Sequence, residues 1–345
     1  MRVVRKLIPA ALLLAGAAWF ALRPYKGFEK DVVVTIPRGS TTRAMAETLE
    51  ANGVVRHRWL FLAARALNRN VTLQAGEYHF IDPAAPHAVL ARIAHGDVLY
   101  YELTVPEGSN MFDVATAAGK LGLFDAGSFL RAARDPALVR DLAPKAANLE
   151  GYLFPSTYRL TRDTDARRLC KMMTAQFRSV WRQLTPGKAD VHATVTMASL
   201  VEKETGNPAE RARVSSVFHN RLDKSMRLQC DPTTIYAALL GGTWRGKIHR
   251  SDLDSTHPYN TYQSAGLPPG PIANPGRSSL EAALRPEKSD FLYFVAKPGS
   301  TREHQFSATR AEHEQAVAAY RHGRQAQQQT KAPPAVPGGA KPRRG

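Results

Sequence analysis

The stretch Val195-Thr196-Met197-Ala198-Ser199-Leu200-Val201-Glu202-Lys203-Glu204-Thr205 has the residue pattern of a helix that ends in two glutamates. At roughly 100° per residue, Met197 and Leu200 fall on the same side of such a helix as Glu204. Glu202 points to nearly the opposite side. Two glutamates spaced i, i+2 cannot face one site. We therefore expect Glu204 to point inward and Glu202 to be solvated.

An inward carboxyl group among apolar neighbours is costly to ionise, so the pKa of Glu204 should rise. Such an acid keeps its proton near neutral pH and can deliver it to a leaving oxygen. The alternative is a glutamate at a helix end that caps a backbone amide or pairs with an arginine. Periodicity alone does not decide between these roles.

Two further helix starts follow this stretch closely. Asn207-Pro208-Ala209-Glu210 combines an asparagine cap, a proline in the first turn and a glutamate at the third position. Asp231-Pro232-Thr233-Thr234 begins a helix in the same way. Because the connections are short, both helices are expected to fold back beside Glu204.

Strand and helix patterns alternate in the first half of the chain. Residues 34–40 contain a strand end, a Pro-x-Gly turn and a hydroxyl group suited to helix capping. Residues 103–109 repeat this pattern. A coincidence of turn chemistry is the alternative to a true repeat. A strand is predicted at 76–80, a helix through 89–93, and a long amphipathic helix from about 163 to 184. This mixture predicts an α+β fold.

Residues 7–22 form an apolar run without a charge, and Arg2, Arg5 and Lys6 precede it. As a helix the run covers roughly 24 Å, a little less than the ~30 Å hydrocarbon core of a bilayer. The sequence before Arg23 lacks a small-x-small cleavage site, which favours an uncleaved anchor over a cleaved signal peptide. A long C-terminal domain can be translocated regardless of flanking charge, and we expect the rest of the chain outside the cytoplasm.

The formal net charge of the 345 residues is +17. A basic chain suits nucleic acid, anionic lipid or an anionic polymer. The clustered basic and aromatic pattern of a nucleic-acid module does not occur, so nucleic acid is not an expected partner. Cys170 and Cys230 are the only cysteines; whether they pair is left open, and their spacing fits no metal site.

Ordered motifs surround the glutamate pair and continue to the end of the second half. They are Glu202–Thr205, Val217–Leu222, Met226–Gln229, Asp231–Thr233, Tyr259–Tyr262, Gly266–Ile272, Asn274–Gly276 and Tyr293–Ala296. In this order they resemble the YceG-like endolytic transglycosylases, and the similarity covers nearly the whole chain, including Glu150–Pro155. Cys230 is a departure, since threonine is common there in this family.

The resemblance implies a catalytic role for Glu204, because the second glutamate of the Glu-Lys-Glu-Thr motif is the catalytic one in this family. The implied reaction protonates the glycosidic oxygen between N-acetylmuramic acid and N-acetylglucosamine in peptidoglycan. The C6 hydroxyl of the muramic residue then closes on C1 and leaves a 1,6-anhydromuramic end. The implied reaction requires no metal or organic cofactor. Cutting within nascent glycan strands and cooperation with wall-synthesis penicillin-binding proteins are also implied.

Further residues are candidates for binding the sugar chain, because aromatic faces, amides and carboxylates suit sugar rings and N-acetyl groups. They are Gln229, Asp231, Tyr259, Asn260 and Tyr262. The alternative for Tyr262 is a ring packed inward, and for Asp231 it is a helix cap.

The expected architecture combines these segments with the resemblance. It comprises a cytoplasmic N-terminus (1–6), a transmembrane anchor in the cell inner membrane (7–22), a small LysM-like α/β wall-binding module (30–100), a second strand-turn-helix module (101–160), a mainly helical periplasmic catalytic domain with a small sheet (161–322) and a disordered basic tail (323–345).

Two other functions compete with lytic transglycosylation. A muramidase that uses water needs a second carboxylate close to Glu204, and Asp231, Asp252 and Asp254 are its candidates. A non-catalytic peptidoglycan-binding scaffold has no need for an inward Glu204.

Overall fold

The computed structural model describes residues 16, 19, 20, 23–184, 187–300 and 303–331. The chain divides into two compact units, residues 1–103 with 157–165 and residues 104–156 with 166–345. Helices predominate, and the described strands form two-stranded sheets. The predicted α+β class is therefore confirmed. The segment 104–156 groups with residues 166–345 in the second unit, and the predicted module at 101–160 stays a prediction.

The first unit has two small sheets and three helices within its described residues. In chain order its elements are β1 (Val32–Ile36), α1 (Thr42–Ala51), α2 (Arg58–Leu67), β2 (Gly76–Phe80), α3 (Pro86–His95), β3 (Tyr101–Thr104), which ends at the unit boundary, and β4 (Thr157–Leu160). β1 is antiparallel to β2, with Val34 opposite Tyr78 in the buried core, and β3 pairs with β4. The predicted strand at 76–80 is confirmed, while the LysM-like identity stays a prediction.

The two predicted Pro-x-Gly turns lead into helices, but the capping residue differs from the prediction. Gly39 has a left-handed φ of 79°, which glycine adopts without strain. Thr41 caps α1, and Asn110 caps the helix after the second turn. The prediction that Ser40 and Ser109 cap these helices is wrong, because each helix starts one residue later.

The second unit is mainly helical. Its elements are α4 (Met111–Gly119), α5 (Ala126–Ala133), α6 (Ala166–Gln183), α7 (Val191–Glu204), α8 (Arg211–Asp223), α9 (Asp231–Leu240), α10 (Arg250–Leu253), α11 (Arg277–Leu284), β5 (Tyr293–Ala296), β6 (His304–Ser307) and α12 (Arg310–Lys331), with short 3₁₀ helices at Pro136–Leu138 and Pro208–Glu210. Helix α7 packs against α8, α9 and α11, and α12 packs against the antiparallel pair β5 and β6. A small sheet in a mainly helical unit agrees with the prediction.

The two ends of the chain are only partly described. Most of the predicted anchor at 7–22 lies outside the described residues. Among the residues that are described, no helix combines the length and the apolar character needed to cross a bilayer. Helix α12 continues to Lys331, which lies within the predicted disordered tail at 323–345. The rest of that tail lies outside the described residues.

Candidate active site

Helix α7 carries Glu204 as its last residue. Asp190 caps the start of the helix by accepting a hydrogen bond from the Ala193 backbone N–H at 3.1 Å. Every residue from Val195 to Val201 is buried, so the helix is enclosed on all sides. Its C-terminal end meets a cavity, and there Glu204 is half-buried.

The cavity at Glu204 has a volume of about 310 Å³. Three of the predicted binding residues, Gln229, Asp231 and Tyr262, lie in the same wall as Glu204. The other lining residues are Phe218, Arg221, Leu228, Phe294 and His313. The structure thus brings the predicted acid together with polar and aromatic side chains that suit a sugar.

Opposing influences act on the proton of Glu204. Burial raises the pKa of its carboxyl group above the ordinary value, and the charge of Asp231 adds to the rise. The Cys230 thiol donates a hydrogen bond to the carboxylate and opposes the rise, as do the charges of His304 and Arg221. The net rise has the direction predicted from apolar neighbours. Glu204 therefore retains its proton to higher pH than a solvated glutamate.

Asp231, Tyr262 and Gln229 are held in defined positions in the cavity wall. The Tyr262 hydroxyl donates a hydrogen bond to Asp231 Oδ1 at 2.6 Å. Asp231 is the first residue of α9, and Cys230 occupies the N-cap position, so Asp231 is not the helix cap. Gln229 has a φ of 52°, an uncommon conformation for a residue with a side chain that recurs at functional sites.

The two remaining predicted binding residues do not line this cavity. Asn260 is fully buried, and its Nδ2 donates to backbone carbonyl oxygens between residues 252 and 255 at 2.7–3.3 Å. Its Oδ1 accepts from the Tyr262 backbone N–H at 3.0 Å. The same Oδ1 accepts from the Thr234 hydroxyl at 3.4 Å. The amide of Asn260 is thus engaged by the loop that carries Tyr262 and by α9, and its role as a sugar ligand stays a prediction. The Tyr259 ring packs against Tyr236, with ring centroids 5.2 Å apart.

The three aspartates that a hydrolase could use are separated by the fold. Asp252 pairs with Arg245 at 3.3 Å, and Asp254 pairs with Arg250 at 3.1 Å. Neither lines the cavity. Asp231 is the one carboxylate besides Glu204 among the described residues of that lining.

Comparison with known families gives this site a context. The YceG-like family matches residues 34–319, which include the helices around the cavity. This chain belongs to the YceG-like family.

Relatives share the sequence over most of its length. An endolytic murein transglycosylase of Bacillus subtilis (strain 168) is 34% identical over 333 residues, which span 90% of this chain and 91% of the relative. An endolytic murein transglycosylase of Streptococcus pneumoniae serotype 2 is 30% identical over 307 residues, 78% of this chain and 54% of that protein. The crystal structure of a yceG-like protein from Listeria monocytogenes, 34% identical, matches with a TM-score of 0.55 over 84% of this chain and 99% of the other.

Glu202 in this YceG-like chain is not solvated, which corrects the sequence prediction. Its carboxylate accepts a hydrogen bond from Arg211 Nη2 at 2.8 Å and another from the Gly276 backbone N–H at 2.9 Å. Its side chain is only 5% exposed. Because α7 is enclosed on all sides, the face opposite Glu204 is covered as well. Glu202 connects the end of α7 to the starts of α8 and α11.

Two polar residues of the cavity lining, Arg221 and His313, are not among the predicted site residues. Arg221 lies one helical turn after Phe218 on α8, so the 3.6-residue period was a usable signal. Its Nε donates to the Leu292 carbonyl oxygen at 2.7 Å and its Nη1 to that of Leu228 at 2.9 Å. His313 reaches the cavity from α12, about a hundred residues further along the chain, and no local pattern indicates it.

The segment Glu150–Pro155 is buried. Glu150 accepts hydrogen bonds from the Met111 N–H at 2.9 Å, from Tyr236 at 3.0 Å and from Asn274 at 3.0 Å. Burial raises the pKa of Glu150 to about 7. A buried carboxyl group with these partners joins α4, α9 and the loop before α11.

Proposed function

We propose that this YceG-like chain is a lytic transglycosylase that cleaves peptidoglycan and uses Glu204 as its acid and base. The observation that carries the proposal is the position of Glu204, a half-buried acid with a raised pKa in a cavity lined by polar and aromatic groups. The curated relatives named endolytic murein transglycosylase support the same reaction class.

In the proposed reaction the protonated Glu204 donates its proton to the oxygen that links C1 of N-acetylmuramic acid to N-acetylglucosamine. The C1–O bond breaks as positive charge develops at C1. The C6 hydroxyl oxygen of the same muramic residue bonds to C1, and its proton passes to the Glu204 carboxylate. The products are a free C4 hydroxyl and a 1,6-anhydromuramic end, and the acid is regenerated.

Neighbouring groups have supporting roles in this proposal. The Asp231 carboxylate lies close enough to raise the pKa of Glu204, and its negative charge would also stabilise the cation at C1. Tyr262 fixes that carboxylate through the 2.6 Å hydrogen bond. Gln229, exposed at the cavity rim, offers an amide to the N-acetyl groups.

The proposal also covers the place of action. We place the catalytic unit in the periplasm, held at the inner membrane by the apolar segment 7–22. There it would cut nascent strands beside the penicillin-binding proteins that synthesise them. Membrane fractionation of the full chain and of a variant lacking residues 7–22 tests the anchor; equal recovery of both in the soluble fraction would count against it.

Mass spectrometry of digested peptidoglycan tests the reaction. Purified full chain should produce anhydro-ended muropeptides, and Glu204→Gln should produce none, because glutamine keeps the shape and lacks the transferable proton. Reducing ends in place of anhydro ends would show hydrolysis. If the folded wild type gives no products, the chain acts as a non-catalytic binding scaffold.

A muramidase is the second candidate function, because Asp231 lines the same cavity as Glu204. If water attacks C1 with help from Asp231, Asp231→Asn should convert reducing ends to anhydro ends or abolish products. If the C6 hydroxyl attacks, the same variant should give fewer products with unchanged anhydro ends.

A further inference from the structure

A second and larger cavity adjoins the one that contains Glu204. Its volume is about 710 Å³, within the range of sites that enclose a whole ligand. Arg221, Gln229 and His313 line both cavities, so the two share a wall. The second cavity extends from that wall along α12. The proposed reaction at Glu204 makes no use of this space.

The charge of the second cavity is positive. Arg221, Arg310 and Arg321 contribute three guanidinium groups, and Glu314 contributes one carboxylate. Arg310 Nε already pairs with Glu314 Oε1 at 2.8 Å. Arg321 forms no ion pair with any residue that the structure describes, and it is exposed. An excess of guanidinium groups in a concave site favours a ligand with carboxylates.

The rest of the lining has apolar character and an unused polar atom. The Tyr293 ring stacks on His313 at 5.0 Å, and the Arg221 guanidinium lies 5.2 Å from the Tyr293 ring centroid. Val317 and Ala318 of α12, together with Met226, complete the wall. Nδ1 of His313 is buried without a hydrogen-bond partner among the described residues, a state that is rare unless a ligand or water completes it.

We propose that this second cavity binds the acidic peptide stem carried by the muramic residue whose bond is cleaved. The inference rests on the proposed function, since it assumes that the muramic C1 lies at Glu204. The stem is attached to that same sugar ring through its lactyl group, so it must leave the catalytic cavity within a few ångströms. A short peptide with free carboxylates and small aliphatic side chains matches both the charge and the apolar part of the lining.

A phosphate group at the end of a glycan strand is the other anion that guanidinium groups would recognise. An endolytic cut falls at varying distances from the strand end, whereas a stem is present at every cleaved muramic residue. The adjoining position of the two cavities therefore favours the stem.

Cleavage rates on three substrates test the proposal with the full chain. The substrates are glycan strands with stems, the same strands after an amidase has removed the stems, and strands whose stem carboxylates have been amidated. The variants are Arg310→Gln, Arg321→Gln and both together. Arg167→Gln is the control for each single variant, because it also removes one positive charge. Arg167 is exposed on α6 and lines neither cavity.

We expect wild type to cleave stem-bearing strands with a higher kcat/KM than stripped or amidated strands. The double variant should lose about tenfold in kcat/KM on stem-bearing strands and retain its rate on the other two substrates, while Arg167→Gln matches wild type on all three. Equal losses on all substrates, or an equal loss in Arg167→Gln, would overturn the stem assignment. If wild type cleaves none of the substrates, the proposed function fails instead.

Discussion

Replacing Glu202 with glutamine is expected to destabilise the protein, although only one residue separates it from Glu204, the proposed catalytic acid. The Glu202 and Arg211 side chains are 5% and 7% exposed and lie 2.8 Å apart. Removing one partner of a buried ion pair leaves the other charge uncompensated and costs about 3–5 kcal/mol. Glutamine still accepts the Gly276 hydrogen bond, and Glu107 lies 3.4 Å from Arg211. The lower end, about 3 kcal/mol, is therefore expected.

Replacing Glu204 with glutamine should abolish activity without lowering the unfolding free energy. The raised pKa of Glu204 means that the folded protein opposes its ionisation. Folding stability from this group is therefore lost as pH rises above the ordinary value of 4.5. Glu204→Gln removes that loss, so the variant should be inactive and at least as stable as wild type at neutral pH.

Thermal unfolding followed by circular dichroism, together with counting of anhydro ends, separates the two cases. For a unit of this size, about 3 kcal/mol lowers the melting temperature by about 6–12 °C. Glu281→Gln breaks an exposed pair with Arg277 and serves as the matched control, with an expected cost below about 1 kcal/mol. A Glu202→Gln melting temperature within the control's range, with activity lost, would refute the structural role of Glu202.

Two substitutions beside Glu204 should move the alkaline limb of the kcat/KM profile in opposite directions. Cys230→Ala removes a hydrogen bond that stabilises the carboxylate, so the limb should move to higher pH, and Asp231→Asn removes a charge that raises the pKa, so the limb should move to lower pH. Shifts of the same sign would contradict this assignment. Burial raises the pKa of Glu150 to about 7, so the unfolding free energy of wild type should fall by up to about 3 kcal/mol between pH 4.5 and 7. In urea titrations Glu150→Gln should show a weaker pH dependence of this free energy. A wild-type slope in this variant would exclude Glu150 as the source. Asn260→Ala should lower the unfolding free energy by about 1–3 kcal/mol in the same titrations, because the part-buried carbonyl oxygens of residues 252, 253 and 255 lose their donor. Unchanged stability with weaker substrate binding would instead support its role as a sugar ligand.

Features set by local chemistry were predictable from the sequence. The strand at 76–80 follows from its residue types, and the Asn207 cap follows from the side chain that accepts the Ala209 N–H at 3.2 Å. The helical period also placed Glu204 at the end of α7 and on its apolar side. Each of these depends on interactions within a few residues, which the sequence displays directly.

Features set by the enclosure of α7 were not predictable in this way. Periodicity shows which residues share a face, but it does not show whether the opposite face is covered. Glu202 was therefore predicted to be solvated, whereas Arg211 and the start of α11 bury it. His313 and the capping role of Asn260 for a neighbouring loop depend on segments that meet only in the folded chain.

The arrangement around Glu204 suits the proposed reaction, in which one group gives and later takes a proton. A carboxyl group buried without polar neighbours would hold its proton so firmly that donation becomes slow. A fully solvated one would have lost its proton before the substrate arrives. Burial and Asp231 favour the protonated form here, while the Cys230 thiol and Arg221 favour the ionised form. Both protonation states of Glu204 are thus supported in one site, as the proposed single-acid reaction requires.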